Sequence, residues 1–69
     1  MKKSWVKIFS SSNPIEVEII KQMLTENNIV SVVLNKQDSS YNMFGEIDLY
    51  VTENEQEIAL QLIHKQNNE

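Results

Sequence analysis

The chain contains no cysteine and no arginine, and only one glycine and one proline among 69 residues. The lack of cysteine excludes a disulfide framework, a thiolate metal site and thiol redox chemistry, and it fits a reducing compartment. The lack of arginine removes the side chain that grips phosphate and guanine bidentately, and ten acidic residues against six lysines leave a net charge of -4 that repels a phosphate backbone. Nucleic acid is therefore not an expected partner. A single glycine leaves no glycine-rich phosphate loop. The start Met1-Lys2-Lys3-Ser4-Trp5-Val6-Lys7 is basic, but no unbroken apolar stretch follows it. Neither a signal peptide nor a membrane contact is expected, and the cytoplasm is the expected location.

What is present is a 41% hydrophobic chain that reads as one domain over residues 1–69. A domain of this size buries only about 60% of its unfolded surface, and no disulfide or structural metal is available to support it. Oligomerisation is the remaining common support, so a homodimer is expected.

Residues 5–10 alternate, with Val6 and Ile8 on one face and Trp5, Lys7 and Phe9 on the other, as in a strand. Asn13-Pro14 then combines a good N-cap with a residue suited to the first helical position, and Glu16 stands where a capping box requires it. Ile15, Ile19 and Met23 recur beside Val17, Ile20 and Leu24, which predicts a helix with one apolar side. Asn27-Asn28 ends it, because asparagine tolerates the left-handed conformation of a C-terminal cap. Residues 29–35 place Val30, Val32 and Leu34 on one face and Ile29, Ser31 and Val33 on the other, a strand apolar on both sides. A polar loop spans 36–45, and a third strand over 46–52 points Ile47, Leu49 and Val51 inward and Glu46, Asp48, Tyr50 and Thr52 outward. Either Thr52 with Glu55 or Asn54 with Glu57 caps a second helix, whose buried stripe is Ile58, Ala59, Leu62 and Ile63.

The order β-α-β-β-α predicts an α+β two-layer sandwich, with a three-stranded antiparallel sheet in the order 1-3-2 and both helices on one face. This is a ferredoxin-like arrangement with its fourth strand absent. The uncovered face would display Trp5, Phe9, Ile29, Val33 and Tyr50, an apolar surface suited to protein contact. Phe44 joins these as a candidate interface residue, although it and Met43 serve equally well as a plug for the sandwich end. Glu46 and Asp48 on the same face oppose a nucleic-acid strand.

Strands 1 and 2 run the same way, so the loops after them converge at one end of the sheet. There the first helix presents its N-terminal amides, which makes Ser11, Ser12, Asn13, Lys36, Asp38, Ser39, Ser40 and Tyr41 candidate ligand-binding residues for a small anion or metabolite. No catalytic residue is expected. His64 stands alone near a helix end, and serines 10–12 with His64 and Asp38 lack a nucleophile elbow and an oxyanion loop. Asp38, Glu46 and Asp48 lack calcium-loop spacing, so neither a metal nor a cofactor is predicted.

The segments Trp5-Val6-Lys7-Ile8-Phe9-Ser10, Asn13-Pro14-Ile15-Glu16-Val17-Glu18-Ile19-Ile20-Lys21-Gln22-Met23-Leu24, Asn35-Lys36-Gln37-Asp38-Ser39-Ser40-Tyr41 and Gly45-Glu46-Ile47-Asp48-Leu49-Tyr50-Val51 resemble a small bacterial family, the putative prokaryotic signal transducing proteins. The resemblance implies a ferredoxin-like domain related in shape to PII-type regulators, with no catalytic motif. The chain has no room for the long nucleotide-contacting loop of a PII regulator, so nucleotide binding is not carried over. The expected function is a non-enzymatic binding or regulatory module that uses the open sheet face and the 36–44 loop. A small-anion sensor at the first helix start is the alternative, and an enzyme subunit ranks last.

Overall fold

In a computed structural model the chain is described over residues 4–36 and 45–67. The elements follow in the order β1 (Trp5–Ser11), α1 (Pro14–Glu26), β2 (Ser31–Asn35), β3 (Ile47–Thr52), a short 3-10 turn (Glu53–Glu55) and α2 (Gln56–Asn67). β3 is central and antiparallel to both β1 and β2, which gives the sheet order β1-β3-β2. Val17, Ile20 and Leu24 of α1 and Ala59 and Ile63 of α2 share one buried cluster with Ile47, Leu49 and Val51 of β3. Both helices therefore cover the same sheet face. The α+β, ferredoxin-like sandwich with three described strands is the architecture expected from the sequence.

The ends of α1 form where local chemistry dictates. Asn13 Oδ1 accepts the Ile15 amide at 3.0 Å, and Pro14 opens the helix. Glu16 does not bond the Asn13 amide directly. Instead that amide donates to Ser11 Oγ at 3.0 Å, and the Ser11 hydroxyl donates to Glu16 Oε1 at 2.7 Å. The far end is a Schellman motif: Asn28 takes φ 64°, its amide donates to Thr25 O, and the Ile29 amide donates to Leu24 O.

That motif decides the orientation of β2. Ile29 folds back onto Leu24 as the apolar partner of the motif and is 4% exposed in the core, not displayed on the open face. Parity then carries Val33 to the helix side, opposite Leu49, while Val32 and Leu34 stand opposite Tyr50 and Asp48 on the open face. The expected faces of this strand are thus exchanged.

A second correction concerns Phe9. The β1–β3 register shifts between Lys7 and Phe9, so Lys7 stands opposite Tyr50 and Phe9 opposite Leu49. One extra residue in a bulge flips every later side chain. Phe9 accordingly packs against the core.

On the helices the buried stripes are narrower than the apolar pattern. Ile15 and Ile19 of α1 and Ile58 of α2 remain exposed. α2 is entered through the 3-10 turn, where the Glu53 amide donates to Ser4 O at 2.8 Å. Thr52 Oγ1 donates to Glu55 Oε1 at 3.4 Å, and Thr52 makes no side-chain cap to the backbone, so the expected box of Thr52 with Glu55 is replaced by a contact between the two side chains.

Candidate functional site

Two regions of the described structure hold the predicted site residues. At one end of the sheet, Ser10 and Leu34 flank Asp48, while Ser11 and Asn35 flank Ile47. The ends of β1 and β2 therefore converge as expected. Ser11 and Asn13 are engaged in the cap described above, which brings the Glu16 carboxylate to the helix start, and Ser12 is exposed beside them. Asp38, Ser39, Ser40, Tyr41 and Phe44 lie outside the described residues.

Lys36 does not stand over the helix start as a lone cation. Its Nζ meets Asp48 Oδ2 at 2.9 Å, close enough for a charge-assisted hydrogen bond. That bond, together with the charge of the carboxylate, raises the Lys36 ammonium above its ordinary pKa. Asp48 is the surprise of this region: it was expected on an exposed strand face, yet it is fully buried. It lies on the central strand between two neighbours, and the half-exposed Lys36 reaches over it. Beyond that contact of Oδ2 with Lys36, neither carboxylate oxygen has a hydrogen-bond partner among the described residues. Glu46 stays exposed and accepts from the Ser10 hydroxyl at 3.4 Å.

The second region is the open sheet face. Trp5 and Tyr50 lie on it as expected, with Val32 and Leu34 in the places anticipated for Ile29 and Val33. Trp5, Val32, Val33, Leu34 and Tyr50 line one shallow depression of about 370 Å³. Trp5 is 44% exposed, Val32 45% and Leu34 49%, so the described residues leave about half of each open to water. Sequence reasoning missed Val32 and Leu34 because both sides of β2 are apolar; the signal that finds them is Asn28, whose cap fixes the parity of the strand.

His64 is exposed in the last turns of α2. Among the described residues no cluster of three or more histidine, aspartate or glutamate side chains is placed to hold a metal ion, and no helix is long and apolar enough to cross a membrane.

Sheet order, helix placement and an apolar face that the described residues leave partly open define the class: a small ferredoxin-like sandwich with three described strands. The model of the family described as putative prokaryotic signal transducing protein matches residues 5–66, and the chain belongs to that family. No curated protein and no solved structure matches it.

Proposed function

We propose that this chain is a non-enzymatic regulatory module of its signal-transducing family, acting by protein contact through the sheet, with a second copy of itself as its first partner. The observation that carries this reading is the partly exposed apolar strip Trp5-Tyr50-Val32-Leu34, on a sheet whose opposite face packs both helices against the central strand β3. The polar groups at the loop end support contact rather than capture of an anion. Glu16 already brings a carboxylate to the start of α1, and Lys36 is held by Asp48. The cysteine-free composition supports a reducing compartment such as the bacterial cytoplasm.

Solution mass by light scattering across a dilution series tests this reading. The expected result is association to twice the 8.0 kDa chain mass at high concentration, falling toward one chain on dilution. A single-chain mass at every concentration overturns it.

A further inference from the structure

The two edges of the sheet are not alike. β1 carries Lys7 near its middle and a register shift after it, both devices that discourage another strand from pairing. β2 has neither. Its five residues Ser31-Val32-Val33-Leu34-Asn35 contain no charge and no proline, and they pair with β3 without a shift. Val32 and Leu34 remain about half exposed and Val33 is 37% exposed. Among the described residues no strand pairs with the outer side of β2.

The hydrogen-bond phase of that edge is fixed. The Lys36 amide donates to Glu46 O at 3.2 Å, so Lys36 and, by alternation, Leu34 and Val32 turn their backbone groups toward β3. Ser31 and Val33 turn theirs outward. From this geometry we infer that the outer edge of β2 pairs antiparallel with β2 of a second copy, about a two-fold axis at Val33. This inference rests on the self-associating module proposed above and specifies its geometry.

Three features select a second copy as the occupant. First, the phase is self-consistent: an antiparallel pair centred on Val33 makes the two valines a mutually hydrogen-bonded pair, which requires the outward-facing groups that Val33 has. Second, the strand is a palindrome in polarity. In this register Val32 meets Leu34 of the second copy, Val33 meets Val33, and Ser31 meets Asn35, so apolar faces apolar and polar faces polar. Third, the contact is electrostatically neutral. Each chain carries a net charge of -4, and an uncharged strand lets two such chains meet without opposing like charges. The product is a continuous six-stranded sheet, in which Tyr50, Val32 and Leu34 of both copies form one apolar band.

Light scattering on four forms of the full chain tests the inference. Val33→Pro deletes the outward amide and leaves the bonds of β2 to β3 in place. Val32→Glu keeps every backbone group and sets two carboxylates at diagonal positions across the axis. Trp5→Ala alters the open face at β1, on the far side of the sheet. A dimeric wild type and Trp5→Ala, with a tenfold or greater weakening in both β2 variants and an unchanged helical circular-dichroism signal, is expected. If Val33→Pro fails to fold, Val32→Glu carries the test. A dimer that survives the β2 changes but is lost in Trp5→Ala overturns edge pairing and leaves self-association through the face standing. A wild type that stays a single chain overturns both.

Discussion

The two faces of β3 have opposite fates. Ile47, Leu49 and Val51 are at most 3% exposed and are packed under both helices, whereas the intervening Tyr50 looks onto a depression open to water. Residues one step apart in sequence are thus sealed in the core on one side and, apart from Asp48 under Lys36, left partly open to water on the other. The difference shows that the helices complete only half of what a sheet requires. A sheet with one covered face is stable in water when the other is polar, and here the other is largely apolar.

The sharpest way to break this comparison is to damage the covered face. Leu49→Ala removes a fully buried side chain and should lower unfolding free energy by about 2–5 kcal/mol, enough to threaten a domain of this size, as read by urea denaturation. A loss below about 1 kcal/mol would show that the core is looser than described.

A second, smaller effect comes from the ion pair at the sheet end. Lys36→Met strands the buried Asp48 carboxylate and should lower the urea midpoint, and adding Asp48→Asn should recover part of the loss in a double-mutant cycle. Additive losses would mean the two residues do not interact. The raised pKa of Lys36 also sets the pH response. Its stabilising contribution is complete below the ordinary lysine range and is lost as pH rises through the raised value. The stability gap between wild type and Lys36→Met should therefore be constant near neutrality and close in strong alkali.

The helix start gives a third test. Asn13→Ala removes the side-chain bond to the Ile15 amide and should cost about 1 kcal/mol, with the loss reported by thermal melting. A comparable change of opposite sign is expected at Ser31, whose hydroxyl is buried with no hydrogen-bond partner among the described residues. Ser31→Ala should stabilise by about 1 kcal/mol, and a destabilised variant would reveal a partner for that hydroxyl. Smallest of all, Val32→Thr on the open face should change stability by no more than about 0.5 kcal/mol.

The parts of the fold that were legible in the sequence are those set by local chemistry. Asn13-Pro14 and Asn27-Asn28 bracket α1 because a cap needs only neighbouring residues, and the alternation of Ile47, Leu49 and Val51 fixes β3 because its inner and outer sets differ. Where both sets are apolar, alternation carries no sign. The pattern of β2 does not orient it, and it is Asn28 and the fold-back of Ile29 that set Ile29 and Val33 on the helix side, opposite to the face expected from the sequence. The bulge that turns Phe9 inward leaves no mark in the pattern of residues 5–10. The Lys36–Asp48 pair was hidden for a different reason: the two stand twelve positions apart, and only antiparallel pairing of β2 with β3 brings them together. Of the candidate site, Trp5 and Tyr50 were placed correctly on the open face, while Val32 and Leu34 emerged from the register.

The most direct measurement of the central claim, that the outer edge of β2 is a contact between copies, is residue-resolved amide exchange as a function of protein concentration. The Leu34 amide, turned toward β3, should be protected at every concentration, whereas the outward Val33 amide should gain protection in step with the dimer population. Val33 exchanging at an unprotected rate at the highest concentration, with Leu34 protected, would contradict the account.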